Sequence, residues 1–128
     1  MKKHISSGTE WENIVGYSRA VRVGNIIEVS GTVASDGNIV VGKNDAYLQT
    51  KYILKKIESA LIETDATLND VVRTRIFVKD ISKWNEIAKA HQEVFDNIKP
   101  AATMVEVSSL ISPEYLVEIE VTAIVEEI

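Results

Sequence analysis

The stretch from Pro100 to Val125, PAATMVEVSSLISPEYLVEIEVTAIV, constrains the fold most tightly, because its apolar residues recur with a period of two. A β-strand points successive side chains to opposite faces, so this alternation marks strands buried on one face only. Two strands are predicted here, separated by a loop at Ile111–Ser112–Pro113. In the second strand Val117, Ile119, Val121, Ala123 and Val125 share one face, and Leu116, Glu118, Glu120 and Thr122 share the other. In the first, Thr103, Val105 and Val107 are assigned to the apolar, helix-facing side and Ala102, Met104 and Glu106 to the opposite one. An earlier segment, VVRTRIFVKD, sets Val72, Thr74, Ile76 and Val78 against Arg73, Arg75 and Phe77. Three strands therefore each carry an apolar face and a face with ionic groups.

Helical spacing supplies the layer that covers the apolar faces. Asn44–Asp45 offers an N-cap for a helix running to about Glu63. Its Ala46, Thr50, Ile53, Leu54, Ile57, Ala60 and Leu61 fall on one side, leaving Lys51, Lys55, Lys56, Glu58 and Glu63 for solvent. Ser82 is expected to cap a second helix through Asn97, with Ile81, Trp84, Ile87, Ala88, His91, Val94 and Phe95 along one side. Pro100 then bars its continuation. Upstream, Tyr17–Val23 and Ile26–Thr32 read as a hairpin about Gly24–Asn25, with Ser30–Gly31 marking a bulge or a close backbone approach. A short edge strand is expected at Ile39–Val41, after the turn at Asp36–Gly37–Asn38. Residues 1–16 have no clear period and read as an N-terminal arm before a single domain, 17–128.

This order, β-β-(β)-α-β-α-β-β, predicts an α+β fold in which two helices cover one face of a mixed sheet. On the other face, arginines and glutamates interleave with Leu116, Met104 and Phe77. Such a surface suits a subunit interface better than open water, which predicts a closed homo-oligomer with its sheets facing inward.

Composition narrows the function classes. A chain of 128 residues makes one domain, and its lack of cysteine removes disulfides, thiolate nucleophiles and Cys-ligated metal. The two histidines, His4 and His91, are far apart in sequence, so no metal site is expected, and nothing calls for a cofactor. A formal charge of −5 disfavours nucleic acid as a partner. No apolar run is long enough to span a bilayer, and no hydrophobic stretch follows the first lysines. The expected location is the cytoplasm, with no membrane partner.

Five stretches taken together, GYS at 16–18, VSG at 29–31, LNDVVRTRIFVKDI at 68–81, PAATMVEV at 100–107 and LVEIEVTA at 116–123, resemble the Rid/YjgF family. That family is also labelled L-PSP endoribonuclease-like or translation-inhibitor-like, and the resemblance runs from about Tyr17 to Val125. It implies a chorismate-mutase-like fold and a homotrimer with ligand clefts between neighbouring subunits. Members of known activity hydrolyse enamines and imines such as 2-aminoacrylate to 2-oxo acids and ammonia. In them an arginine directly after Pro-Ala binds the substrate carboxylate. This chain has Ala102 there, and a methyl group cannot replace a bidentate guanidinium. Ala88 stands where an asparagine of the family pattern would align, while Tyr17, Ser30, Gly31 and Glu118 match pocket positions. The Thr9–Glu10–Trp11–Glu12 opening, with GYSRAV and TMVEV, is similar to a subgroup without that arginine.

On this reading Glu118 is the water-activating group, and Tyr17 with the Ser30–Gly31 backbone completes a cleft that Ala102 and His91 also border. Arg73 or Arg75 could bind an anion, but pairing with Glu106, Glu118 or Glu120 is favoured because buried charges normally occur paired. His91 reads as a packed histidine with one hydrogen bond, and Trp11 and Trp84 as packing anchors. The expected partners are a second and third copy of the chain and a small carboxylate or 2-oxo-acid-like ligand. Two functions stay open: a hydrolase or deaminase on an imine-like or amide-like metabolite, with weak 2-aminoacrylate turnover, and a non-catalytic binding or regulatory trimer. RNA cleavage or translation inhibition is less favoured, given the acidic balance and the lack of a histidine pair.

Overall fold

The computed structural model describes residues 2–127. In chain order the elements are β1 (Lys2–Ile5), α1 (Glu10–Val15), β2 (Ala20–Val23), β3 (Ile26–Thr32), β4 (Ser35–Asp36), β5 (Ile39–Val40), α2 (Ala46–Glu63), β6 (Val71–Val78), α3 (Trp84–Phe95), β7 (Ala101–Glu106) and β8 (Val117–Ile124). Six strands form one mixed sheet in the order β1-β2-β3-β8-β6-β7, and β4 and β5 make a separate ribbon. Every neighbouring pair in the large sheet is antiparallel except β6 and β7, which run parallel through the α3 crossover.

Burial follows the period-two pattern where both sides of a strand are paired. Val117, Ile119, Val121 and Ala123 of β8 are buried, as are Thr74, Ile76 and Val78 of β6. Against them pack Ile53, Leu54, Ile57 and Leu61 of α2 and Ile87 and Phe95 of α3. The Asp45 side chain accepts from Leu48 N at 3.0 Å, so the expected cap of α2 is present. No described helix is long and apolar enough to cross a membrane.

Several expectations are corrected. The first sixteen residues are not an unpatterned arm. β1 adds an edge strand to β2, and α1 is anchored by Glu12, which is buried and accepts from Ser7 N at 3.1 Å, from Thr9 Oγ1 at 3.1 Å and from the Ser7 hydroxyl. Val72 is exposed and Val71 buried, because the β6–β8 register shifts there and one extra residue turns outward. Leu116 lies before β8 begins and packs against the core rather than on the ionic face. Ser82 does not cap α3: the Asp80 side chain accepts from Ser82 N at 2.9 Å and opens a short 3-10 turn from which α3 continues. Ile81, Trp84 and Trp11 are exposed, and Ala90 takes an inward position instead. Lys56 is not a solvent lysine either; its ammonium reaches Ser35 O at 2.9 Å and Val33 O at 3.2 Å.

The largest correction concerns β7. It pairs in parallel with β6 as Arg73↔Ala101, Arg75↔Thr103 and Phe77↔Val105, and paired residues share a face. Thr103 and Val105 therefore lie on the ionic face, and Ala102, Met104 and Glu106 on the helix side. β7 is an edge strand with most residues exposed, so its alternation identifies two faces without telling which is inward.

Candidate functional site

The ionic face is built by register. Arg73 stands beside Thr122, Arg75 beside Glu120 and Phe77 beside Glu118, so the β6–β8 pairing brings the expected charges onto one surface. Beyond β8, β3 carries the expected irregularity. Val29 pairs with Val121 and Thr32 with Ile119, leaving one extra residue at Ser30–Gly31. The bulge is tied down by Ser30 Oγ donating to Ser18 O at 2.7 Å, Ser30 N to Arg19 O at 3.0 Å and Thr32 Oγ1 to Ser30 O at 2.8 Å.

Glu118 lies directly on this bulge. A Cβ added at Gly31 would sit 2.2 Å from Glu118 Oε2. Only glycine permits that approach, which is a physical reason for glycine at position 31. Burial pushes the Glu118 carboxyl above its ordinary value of 4.5; nearby Arg19 opposes the rise and Glu120 adds to it. A half-buried carboxyl whose pKa is raised holds its proton to higher pH than a solvated one, which suits it to proton transfer.

One arginine pairs with a glutamate as expected and the other does not. Arg75 Nη1 approaches Glu120 Oε1 at 3.8 Å, a partly exposed pair, and Arg73 Nη2 donates to Thr103 Oγ1 at 2.8 Å. Glu106 is no partner of either; from the helix side it accepts from Ile81 N at 3.0 Å. The cation that acts on Glu118 is Arg19. Arg19 is only 8% exposed, donates to Gly31 O at 3.1 Å and Thr32 Oγ1 at 3.2 Å, and has Tyr17 as an aromatic neighbour, its ring centroid 5.7 Å from the guanidinium carbon. The sequence reading gave Arg19 no role. A signal existed in YSRAV, where one arginine interrupts a segment leading into buried Ala20, but no pattern in the chain pairs residue 19 with residue 118.

A groove lies on the other side of the sheet. Between α3 and the β7 edge a groove of about 460 Å³ is lined by Ala88, His91, Phe95, Ala102 and Met104, among others. His91 Nε2 and Thr74 Oγ1 are 3.0 Å apart, and the imidazole packs on Phe95 with ring centroids 4.7 Å apart. Burial lowers the His91 pKa below 6.5, so the ring is neutral at physiological pH. Thus Tyr17, Ser30, Gly31 and Glu118 gather at the bulge, His91 and Ala102 line the groove, Arg73 reaches the groove's Thr103, Arg75 pairs with Glu120, and Glu106 holds Ile81 N. No group of three or more metal-ligating side chains is found among the described residues.

A family model described as Endoribonuclease L-PSP matches residues 8–125. A crystal structure of a YjgF/YER057c/UK114 family member from Mycobacterium tuberculosis superposes with a TM-score of 0.90 at 48% identity, covering 98% of this chain and 100% of that one. A RutC family protein of Pyrococcus abyssi is 39% identical over 110 residues, 84% of each chain. The 3-aminoacrylate deaminase RutC of Acinetobacter baylyi is 35% identical over 104 residues, 80% of this chain and 82% of that protein.

Proposed function

The chain belongs to the endoribonuclease L-PSP family, the group also called Rid/YjgF, and from that premise we propose that it hydrolyses small imine- or enamine-type metabolites as a homotrimer. The observation that carries this reading is the Glu118 carboxyl, half-buried with a raised pKa and seated on the Gly31 bulge. An enamine first gains a proton on carbon and loses one from nitrogen, giving the imine; water then adds to the C=N carbon, and Glu118 takes a proton from it and passes it to nitrogen. The resulting carbinolamine expels ammonia and leaves a carbonyl, so one water is consumed and no net proton is lost. The name of the Acinetobacter relative, a 3-aminoacrylate deaminase, supports this reaction class.

The bulge and the His91 groove lie on opposite faces of one sheet, so a single copy cannot bring them together. In the proposed trimer the β7 edge of one copy closes over the bulge of its neighbour, and the cleft is lined by both. Exposed Val23, Ile26, Ile124 and Val105 on the ionic face support its burial between copies. Ala102 leaves the groove without a guanidinium, which supports an arginine-lacking subgroup and predicts weak turnover of 2-aminoacrylate.

The test is ammonia release from freshly generated 3-aminoacrylate and 2-aminoacrylate. The wild type is expected to accelerate the first more than the second, and Glu118→Gln to lose about 10²-fold or more. Equal rates in wild type and Glu118→Gln would overturn the assignment of Glu118. Stabilisation by a 2-oxo acid with no turnover of either substrate would instead favour a binding protein.

A further inference from the structure

Arg19 is a buried cation whose described partners are all neutral. Its Nη1 and Nη2 donate to the Thr32 hydroxyl and the Gly31 carbonyl, and its Nε is buried with no acceptor. A second cation stands close enough to repel it: Lys56, whose ammonium among the described residues bonds Val33 O, Ser35 O and Ser35 Oγ. The acidic groups in range are Glu118, which acts on Arg19 without forming an ion pair, and Asp36, which acts on Lys56. Buried charges are normally neutralised by a partner, and a guanidinium edge left without one matches the two oxygens of a carboxylate.

We propose that Arg19 anchors the anionic end of the ligand at the Gly31 bulge. A carboxylate takes the free Nε–H edge once the half-exposed Tyr17 ring turns aside, and the ligand's reactive carbon then lies over Glu118. The ligand class is a short oxo acid or its imine: the imine of a 3-oxo acid places its reacting carbon over Glu118, and a 2-oxo acid binds at the same anchor without efficient turnover. This supplies from Arg19 the cation that the groove lacks at Ala102, and it rests on the bulge being the reaction site.

The experiment is calorimetric titration of pyruvate, and of its uncharged amide pyruvamide, into the wild type and the Arg19→Lys, Arg19→Gln and Glu118→Gln variants. Circular dichroism and sedimentation establish that each variant is folded. Pyruvate is expected to bind the wild type at least tenfold more tightly than pyruvamide does. Arg19→Gln abolishes that preference, and Arg19→Lys, which keeps a point charge but not the fork, falls between. Equal pyruvate affinity in Arg19→Gln, or equal affinity of pyruvate and pyruvamide for the wild type, overturns the proposal; the second comparison needs no variant to fold. Glu118→Gln separates the two claims. If it retains both turnover and pyruvate binding while Arg19→Gln loses binding, the hydrolytic role of Glu118 fails and the anchor stands.

Discussion

A single methyl group at Gly31 should unseat Glu118 while leaving the fold intact. The ideal Cβ would lie 2.2 Å from Glu118 Oε2, 3.0 Å from Cδ and 3.4 Å from Cγ. All three are atoms of one flexible side chain, and Gly31 is not among the glycines with positive φ, so alanine adds no backbone strain. The closest approach is more than ~1 Å inside ordinary van der Waals separation, so the carboxyl must rotate off the bulge. Overpacking costs about 1–3 kcal/mol, and a yielding side-chain end on a half-buried face sets the low end, about 1 kcal/mol. For 128 residues the unfolding entropy is roughly 270 cal/mol/K, so Gly31→Ala should lower Tm by about 4 °C. Ammonia release should fall nearly as far as in Glu118→Gln. In a Glu118→Ala background the methyl meets no carboxyl, so the stability cost should vanish, a coupling of about 1 kcal/mol in a double-mutant cycle. Equal losses of Tm in the two backgrounds, or Gly31→Ala turnover within about twofold of the wild type, would refute the reasoning.

Gln49 is fully buried and holds the approach to β8, donating to Gly42 O at 3.2 Å and Glu114 O at 3.1 Å and accepting from Leu116 N at 2.9 Å. Gln49→Leu leaves these groups unpaired and should cost about 2–4 kcal/mol in urea denaturation; a loss under about 1 kcal/mol would contradict this. Burial lowers the His91 pKa, so as pH falls below 6.5 the unfolded state takes up the proton first and stability drops. The stability is fully present above that range, and His91→Gln should flatten this part of the Tm–pH curve; an unchanged slope would count against it. Glu118 has the opposite sign. As pH rises above 4.5 the unfolded state loses its proton first, so stability declines toward the higher folded pKa, and Glu118→Gln should remove that decline.

The parts of the fold legible in the sequence are those buried on one face and paired on both sides. β8 and most of β6 gave their faces by alternation, and Asp45 and the helical spacing after it gave α2. The Ser30–Gly31 bulge was legible because a glycine inside a strand pattern weakens the strand unless the backbone bends or a neighbour approaches closely there. Legibility failed where the surroundings decide. β7 is an edge strand of small and mixed residues, so only its register with β6 shows that Ala102 and Glu106 face the helices. β1 is polar and short, and joins the sheet through backbone pairing that composition does not announce. Arg19 and Lys56 look like surface cations in sequence because their burial comes from contacts distant along the chain. The position of the bulge was thus readable, whereas the buried cation beside it was not.

Whether one cleft is made by two copies can be tested by mixing inactive chains. Glu118→Gln removes the proton-transfer group, and Ala102→Trp fills the groove at the β7 edge. Each variant alone should release ammonia at near the uncatalysed rate. After subunit exchange, confirmed by native mass spectrometry, mixed trimers contain clefts with an intact Glu118 from one copy and an open groove from its neighbour, and activity should return. Mixed oligomers that stay inactive, or a wild-type chain that is fully active as a sedimenting monomer, would contradict the shared site.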